Sequence, residues 1–318
     1  MTDRLLPQET TGAPCRCLLM ALCLTLSLGC GRWVTRTQDH AASRAAWWAA
    51  LRPDVRPFTG GAEPSHRGNW RPDLMVLPYA EVEPEQVILH NIRDCVYRTE
   101  EDYDVRHFDR VVRLADLRTL DFIVVPFKES DALAHTMLSF GLADGQHIVF
   151  SAEARLEEGE QYALVPSATR QYELMWVVGT ERDLILLRTH VRDVDVYLYP
   201  IRVTPEQTQR LFLAAVQRVN QIAQRPEHYD LFTNNCTTNI VNLVNQLSPG
   251  KIPLDVRVLL PGRSDRLAYD LGLLAIDGPF DQIKAACKIN TLAKLHADAA
   301  DFSAAIRPHA KPLNAPSR

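Results

Sequence analysis

The sequence predicts an α+β fold in which an antiparallel sheet packs against helices. Strand-like segments occupy residues 87–203, and amphipathic helical segments follow from residue 204 onward. Strands and helices are thus segregated along the chain, which disfavours a doubly wound parallel sheet, where the two alternate. With 318 residues, 46% of them hydrophobic and 23% charged, the chain has the composition of a globular protein.

Charge and motif content exclude several classes of function. The net charge is -4 and the pI is about 6.2, so no basic surface for nucleic acid is expected. No spaced cysteine–histidine motif and no glycine-rich phosphate loop is found, so we predict neither a metal nor another cofactor. Of the seven cysteines, only Cys95, Cys236 and Cys287 lie beyond residue 30. Three is an odd number; if Cys95 pairs with Cys287, Cys236 remains free.

The first thirty residues are predicted to be a signal peptide or a lipoprotein signal. Residues 17–30 form a run of 14 uncharged, mostly apolar residues, shorter than the roughly 20 that span a membrane. The run ends in Gly29-Cys30-Gly31, which resembles a lipoprotein cleavage site, although Ser27 replaces the usual leucine. Lipidation of Cys30, ordinary cleavage and an uncleaved anchor all remain open. Each outcome exports the domain, so we predict the periplasm or cell envelope, with membrane association through the signal or a lipid.

The rest of the chain is predicted to fall into three parts. Residues 31–85 form an N-terminal extension, in which Trp47 and Trp48 either lie at a membrane in a short amphipathic helix or pack on the domain. Residues 86–275 form the main domain. Residues 276–318 form a helical segment and a tail, frayed over its last twenty or so residues.

The main domain begins with the strands. Alternating or β-branched apolar runs predict strands at residues 87–97, 120–126, 134–141, 146–153, 173–178, 184–188 and 195–203. The strand at 120–126 is expected to end at its proline. The Leu142-Ala-Asp-Gly145 turn makes 134–141 and 146–153 a hairpin. Residues 100–109 are charged and are expected to be a connector.

The helices carry clear end signals. A helix that runs to about residue 225 is predicted by three residues at its start. They are Thr204 as cap, Pro205 at the first helical position and Gln207 in a capping box. A second helix follows Cys236, because apolar residues recur at helical spacing between residues 240 and 247 and Ser248-Pro249-Gly250 ends it. A weaker helical pattern covers residues 280–295.

Cys236 is the candidate nucleophile. It falls at the start of the second helix, where unpaired N–H groups lower a thiol pKa and stabilise the thiolate. The competing interpretation is a small core residue that happens to precede a helix. A nucleophilic thiol also needs a base and a group that orients the base.

The hairpin supplies the base and its orienting group. If the turn is centred on residues 143–145, paired residue numbers sum to about 287–289, which places His135 opposite Glu153. Glu153 would then orient the His135 ring, with Ser151 as the fallback. An exposed Glu153 paired with Arg155 is the alternative. His147 shares the face of Glu153 and is the second candidate for the base.

Asn234 and Asn235 precede the cysteine directly. They either turn the chain into the helix or donate hydrogen bonds to an oxyanion. A role in the turn is the favoured one of the two.

Five segments of the sequence carry a resemblance to a known family. They are residues 94–104, 134–141, 151–155, 170–174 and 233–239, of which Asn234-Asn-Cys-Thr-Thr-Asn239 is the most specific. Together they resemble the Lnb N-terminal periplasmic domain family, some of whose members are linked to lipoprotein N-acylation. A histidine strand followed by a cysteine helix also resembles circularly permuted papain-like (NlpC-type) thiol enzymes. The resemblance implies that fold, with Cys236 as nucleophile and His135 as base.

The predicted function is that of an extracytoplasmic cysteine-dependent acyltransferase or hydrolase that forms a thioester. A membrane phospholipid would be the acyl donor, and a lipoprotein N-terminus or water the acceptor. Two alternatives stay open: a cell-wall peptidase or amidase that uses the same pair of residues, and a non-catalytic envelope binding domain.

Overall fold

The computed structural model describes residues 63–128 and 130–307. The strands are β1 (Tyr79–Val82), β2 (Gln86–Arg93), β3 (Val96–Tyr97), β4 (Tyr103–Asp104), β5 (His107–Arg113), β6 (Leu117–Phe127), β7 (Ser130–Leu142), β8 (His147–Arg155), β9 (Glu173–Thr180) and β10 (Tyr197–Pro200). The helices are α1 (Leu164–Ala168), α2 (Glu181–Leu186), α3 (Pro205–Gln224), α4 (Cys236–Leu247), α5 (Val256–Leu259), α6 (Ser264–Asp270), α7 (Phe280–Cys287), α8 (Asn290–Leu295) and α9 (Phe302–Ala305). Short 3-10 turns span Pro72–Leu74, Leu114–Asp116 and Pro261–Arg263, and a π-helical turn spans Leu187–Val191.

The main sheet has the order β1-β2-β9-β8-β7-β6-β10, and β5 also pairs with β2. Its neighbouring strands are antiparallel, apart from a parallel contact between Arg93 on β2 and Gly179 on β9. Strands β3 and β4 form a separate two-stranded ribbon. The predicted antiparallel sheet packed against helices is therefore confirmed, within a mixed α and β architecture.

The core lies where α3 packs on the centre of this sheet. Phe140 on β7, Phe150 on β8 and Phe212 on α3 are fully buried. Their ring centroids lie 5.3–5.5 Å apart in edge-to-face arrangements, the geometry that aromatic quadrupoles favour. This cluster joins the two strands of the hairpin to the longest helix and fixes the position of β7 and β8.

The register of the β7–β8 hairpin is as predicted. Pairs run from Leu138 with Phe150 to Gly141 with His147, so that residue numbers sum to 288 in each pair. The turn glycine, Gly145, has a φ of 82°, a conformation that favours glycine over other residues. The short turn and the apolar face of each strand fix this register because a one-residue slip would expose the core face.

The predicted helix starts are also confirmed. Thr204 caps α3 through the Gln207 backbone N–H, and the reciprocal bond from the Gln207 side chain completes the capping box. Helix α4 begins at Cys236 and is followed by Ser248 as its C-terminal cap. The weak pattern at residues 280–295 corresponds to the two short helices α7 and α8.

Residues 184–188 are helical, not a strand as predicted. They belong to the end of α2 and to the π-helical turn that follows. The Thr180 side chain accepts a hydrogen bond from the Asp183 N–H and starts the helix there. Leu184, Ile185 and Leu187 are all buried, and a short continuous apolar run has no periodicity that separates a strand from a buried helix.

Residues 100–109 are not the plain connector that was predicted. They contain β4 and the start of β5, which pairs with β2 from His107 opposite Arg93 to Arg113 opposite Gln86. Most of β5 is exposed, so its polar composition is that of an edge strand. The strand β6 also continues past the predicted end: Pro126 pairs with Ala134, and β6 ends at Phe127.

The cysteines and the C-terminal segment complete the comparison. Cys95 and Cys287 are buried free thiols, so the conditional pairing between them does not form. The C-terminal segment is ordered farther than expected, because Phe302 on α9 packs in the core and Arg307 forms ion pairs.

Cys30, Trp47 and Trp48 lie outside the described residues. In the part of the chain that the structure describes, no helix is both long and apolar enough to cross a membrane.

Candidate active site

Cys236 is the first residue of α4, and its side chain lies against strand β7. The residue is only 3% exposed, and its Sγ atom lies 3.9 Å from the Ala134 carbonyl oxygen and 3.8 Å from the Thr237 hydroxyl. The Thr237 hydroxyl in turn lies 3.0 Å from that of Thr136, which fixes the first turn of α4 on the strand. The predicted position of the thiol at a helix N-terminus is therefore correct.

His135 follows Ala134 on β7, and its ring is close enough to the thiol to interact with it by charge and by a hydrogen bond. Its Nε2 atom is 2.7 Å from the Ser151 hydroxyl and 3.5 Å from Glu153 Oε1. The Ser151 hydroxyl donates a hydrogen bond of 2.8 Å to the same Glu153 oxygen. The structure thus brings together His135, Ser151 and Glu153 as the hairpin register predicts, with Ser151 between the other two.

Sequence reasoning missed a further member of this cluster. Arg188 is 2% exposed and donates a 3.0 Å hydrogen bond to Glu153 Oε1 and one of 2.9 Å to the Leu184 carbonyl. The π-helical turn that carries Arg188 lies in the segment taken for a strand. The sequence feature that could have indicated this residue is the lone arginine in the apolar run Leu184-Ile-Leu-Leu-Arg188. A buried arginine requires a carboxylate partner, so such an arginine points to a buried ion pair. The alternative partner for Glu153, Arg155, instead donates to the backbone carbonyls of Leu74 and Met75.

The cluster sits where the hairpin opens. Pairs between β7 and β8 begin at Leu138 and Phe150 and run toward the turn. Farther from the turn, β7 continues to pair with β6 as far as Ser130, and β8 continues to pair with β9 as far as Arg155. His135 and Ser151 therefore bridge two strands that have separated, and the start of α4 lies next to them.

The local charges favour an ionised thiol. Burial raises the pKa of Cys236, but the positive charge of the His135 ring and its hydrogen bond outweigh burial and lower the pKa to about 7. Burial lowers the pKa of His135, but the charges of Glu153 and Cys236 outweigh it and raise the pKa to about 9. Burial also raises the pKa of Glu153, yet His135 and Arg188 hold it well below its usual value. Each charge therefore stabilises the other, which favours the thiolate–imidazolium pair over the neutral pair.

The sequence profile of the Lnb N-terminal periplasmic domain family matches residues 103–262, half of the chain. The chain belongs to this family. The match contains His135, Ser151, Glu153, Arg188 and Cys236, so the cluster lies wholly within the family's domain. Membership indicates a location in the periplasm or cell envelope. Searches of curated proteins and of solved structures gave no match to this Lnb-type chain.

The two asparagines before the cysteine shape the chain in this Lnb domain. The Asn235 side chain accepts from the Thr238 N–H at 2.9 Å, and the Thr238 hydroxyl accepts from the Asn235 N–H at 2.8 Å, which forms a capping box. Asn234 donates to the Glu227 carboxylate and the His228 carbonyl, both at 3.0 Å. These contacts match the turn and capping role rather than a side-chain contact with an oxyanion.

His147, the second candidate for the base, belongs to a different cluster of the Lnb domain. Its Nε2 atom lies 3.6 Å from Asp121 Oδ2, and burial lowers the pKa of its ring. Asp121, His147 and Glu181 offer ligand atoms within 4.8 Å of one another. The guanidinium of Arg307, however, forms ion pairs with both carboxylates and already supplies a cation there. The expectation that the chain holds no metal stays a prediction.

Helix α4 separates two concave surfaces of different chemistry. A groove of about 240 Å³ lies between α3 and α4, and side-chain amides line much of it. They include Gln217 and Gln221 on α3 and Asn239 and Asn242 on α4. On the other side of α4, an apolar pocket of about 80 Å³ is lined by the sheet and by α5 and α6. Both surfaces reach the first turn of the helix that carries the thiol.

Proposed function

We propose that this Lnb-type protein is an extracytoplasmic acyltransferase or hydrolase that works through a thioester on Cys236. The observation that carries the proposal is the position of the thiol at the first residue of α4, beside the His135 ring. A helix start and an adjacent imidazolium both stabilise a thiolate. The lowered thiol pKa of about 7 follows from the same arrangement.

In the first half-reaction, the Cys236 thiolate attacks an ester carbonyl and forms a carbon–sulfur bond. The backbone N–H groups in the first turn of α4 donate to the oxyanion of the tetrahedral intermediate. When the intermediate collapses, the carbon–oxygen bond of the ester breaks, and the His135 imidazolium gives its proton to the departing alcohol. Since Nε2 faces Ser151, Nδ1 is the ring nitrogen available to the thiol and the leaving group.

In the second half-reaction, neutral His135 takes a proton from the incoming amine or water as it attacks the thioester. The carbon–sulfur bond breaks and the thiolate leaves, which restores the starting pair. Ser151 and Glu153 hold the ring in one orientation during both steps, and Arg188 holds Glu153. This division of roles is the general one of nucleophile, base and orienting group.

A permuted papain-like (NlpC-type) fold is part of the proposal. In support, the histidine strand β7 precedes the cysteine helix α4 in the chain, and the helix packs against that strand. The proposed donor is a membrane phospholipid, and the proposed acceptor is a lipoprotein N-terminus or water. Anchoring of the protein through its signal or a lipid on Cys30 would hold the domain at the membrane where both occur.

One observation favours a second candidate function, a peptidase or amidase that acts on cell-wall peptides. The groove between α3 and α4 is lined by side-chain amides, which both donate to and accept from peptide groups. The same thiol and imidazole would then attack an amide, and the first product would be an amine. A non-catalytic envelope binding domain would not need an ionised thiol at all.

Intact-mass spectrometry of the protein purified from membranes tests the proposal. We expect a fatty-acyl adduct on Cys236 that is absent from Cys236→Ser and does not form in His135→Ala. Ser139→Ala is the matched control, because Ser139 lies on β7 but donates to Glu181 instead. A Cys236 that carries no adduct and resists alkylation at pH 8 in every sample would exclude the nucleophile and leave the binding domain.

A further inference from the structure

The apolar pocket beside α4 is lined by one side of that helix and by the sheet. Thr237, Ile240, Val241 and Val244 come from α4, and Phe122 and Leu138 face them from β6 and β7. The four helix positions follow the spacing i, i+3, i+4 and i+7, so they form a continuous stripe. From Thr237 to Val244 this stripe is about 10 Å long at 1.5 Å per residue.

The stripe starts at the proposed nucleophile. Thr237 follows Cys236 directly, and its hydroxyl lies 3.8 Å from the sulfur. Ile240 lies one helical turn farther along the same side, because residues i and i+4 are neighbours on a helix surface. The apolar stripe therefore begins within one helical turn of the sulfur, and an acyl group on Cys236 would extend along it.

The pocket is unsuited to a peptide. Its few polar side chains are mostly engaged: Thr237 meets the hydroxyl of Thr136, and Arg257 is bonded to Asp255 and Asp270. The Ser264 hydroxyl is the exception, a buried atom without a partner within the described residues. Each peptide residue brings a donor and an acceptor, and an unpaired buried polar group is costly. An alkyl chain needs no such partners.

The outer wall of the pocket is a short apolar segment. Val258 on α5 lines the pocket, whereas its neighbours Leu254, Val256 and Leu260 are 42%, 62% and 42% exposed. Exposed aliphatic side chains clustered together are typical of surfaces that bind a protein, a membrane or a ligand, and beside an apolar pocket they suit a lipid. A chain drawn from a bilayer would pass this segment on its way to α4.

We infer that the pocket binds the alkyl chain of the acyl donor, so that the enzyme selects long-chain aliphatic esters over peptides. The inference rests on the proposed function, because it names the substrate class of the same thiol. The ester carbonyl lies at Cys236 and the chain follows α4 toward Val244. In the acylation step the carbon–sulfur bond forms, the ester carbon–oxygen bond breaks, and the released alcohol takes the proton from His135.

A substitution that fills the pocket tests the inference. Val244→Trp places a large side chain at the end of the stripe, and Val244→Phe is a milder version should the first destabilise the fold. Val111→Trp is the matched control, since Val111 lies on the exposed edge strand β5. Thermal melting of each variant shows whether it is folded.

Two p-nitrophenyl esters serve as probes, the dodecanoate and the acetate. We expect Val244→Trp to lower kcat/KM for the dodecanoate by about tenfold or more, because two or three methylene groups lose their buried site. The acetate reaction, which does not use the stripe, is expected to be unchanged. Equal effects on both esters, or none on either, would overturn the inference while thioester formation, and with it the proposed function, stands.

A binding measurement tests the pocket assignment independently of the reaction at Cys236. Isothermal titration of dodecanoic acid into Cys236→Ser should show binding that weakens in Cys236→Ser/Val244→Trp and persists in Cys236→Ser/Val111→Trp. If no ester acylates Cys236 in the wild type, the proposed function fails and so does the role of the pocket as a donor site. If esters react but dodecanoic acid does not bind, only the pocket assignment fails.

Discussion

The Ser151 hydroxyl lies 2.7 Å from His135 Nε2, nearer to the ring than the Glu153 carboxylate at 3.5 Å. Since the same hydroxyl donates to Glu153 at 2.8 Å, the serine joins the ring to the carboxylate by hydrogen bonds, while the Glu153 charge acts on the ring directly. Ser151 was only the fallback in the sequence-based prediction. The geometry makes it the group that directly orients the ring, with Glu153 supplying the charge behind it.

Ser151→Ala is expected to lower the rate of Cys236 alkylation by iodoacetamide at pH 7.5 about tenfold, the equivalent of one hydrogen bond to a charged group. The loss of the bond should also lower the pKa of His135, so the basic limb of the pH–rate profile of ester turnover moves toward neutral pH. Ser139→Ala, on the neighbouring strand β7, should match the wild type in both measurements. An unchanged basic limb in Ser151→Ala would show that the serine does not orient the ring.

The pH dependence of the thiol follows from the shifted pKa values. Below pH 7 the Cys236 thiol is protonated and unreactive, and alkylation should rise as pH passes about 7. Above pH 9 the His135 imidazolium loses the proton that the leaving group needs, so acyl transfer should fall while alkylation does not. Stopped-flow alkylation and ester turnover between pH 5 and 10 measure the two limbs.

The other two described thiols give the internal reference for that experiment. Burial raises the pKa of Cys95 to about 11 and that of Cys287 to about 12, so neither should be alkylated near neutral pH. Peptide mapping should find label on Cys236 alone among the three. In His135→Ala the Cys236 thiol should titrate at a higher pH, because burial then acts without the opposing charge. A Cys236 that titrates at its wild-type pH in that variant would contradict the assignment.

Arg188→Met is expected to reduce the free energy of unfolding by about 3 kcal/mol, since it leaves the Glu153 charge without one of its buried partners. The Glu153 pKa should rise, and thiol reactivity should fall with it. Arg192→Met, four residues along the chain, removes an exposed ion pair with Glu100 and should cost about 0–1 kcal/mol. Urea denaturation measures the free energy of unfolding of both variants. Equal losses would mean that the burial of Arg188 contributes nothing to stability.

Arg307→Met is expected to destabilise the fold by about 3 kcal/mol as well, because Asp121 and Glu181 are left as buried carboxylates without the guanidinium. Burial raises the pKa of Glu181, but Arg307 outweighs it and lowers the pKa to about 2. A carboxyl with a lowered folded-state pKa stabilises the fold above its unfolded pKa and loses that contribution as pH falls toward 2. The difference between variant and wild type should thus shrink between pH 5 and pH 2.

Lys294→Met is the control for that measurement, since Lys294 and Asp193 form an ion pair at the surface. Its effect should be within about 1 kcal/mol at every pH. A full-sized loss in Arg307→Met that did not change with pH would point to lost packing of the side chain rather than to its charge.

The sequence was sufficient wherever local chemistry decides the structure. Thr204, Pro205 and Gln207 fix the start of α3 because caps act within one turn, and a two-residue period with a glycine turn fixes the β7–β8 register. The site residues on those elements, Cys236 and His135, were predicted for the same reason. Local signals determine where an element begins and which face a residue occupies.

The sequence was insufficient where distant contacts decide. Leu184-Ile-Leu-Leu-Arg188 is apolar on every side, so only its burial by several neighbouring elements shows that it is helical. Arg188 reaches Glu153 from 35 residues away, and no spacing rule links a π-helical turn to strand β8. The charged segment that holds β5 is an edge strand only because β2 lies beside it.

For the proposed acyl transfer, the two unlike sides of α4 would have a kinetic consequence. A donor that approaches along the apolar side and an acceptor that approaches along the amide-lined side need not vacate the enzyme for each other. Excess acceptor would then fail to compete with the donor for free enzyme, and product alcohol could diffuse away while the second substrate is already docked. Water would meet the acyl group only while the acceptor side stands empty, so the ratio of transfer to hydrolysis would follow acceptor concentration.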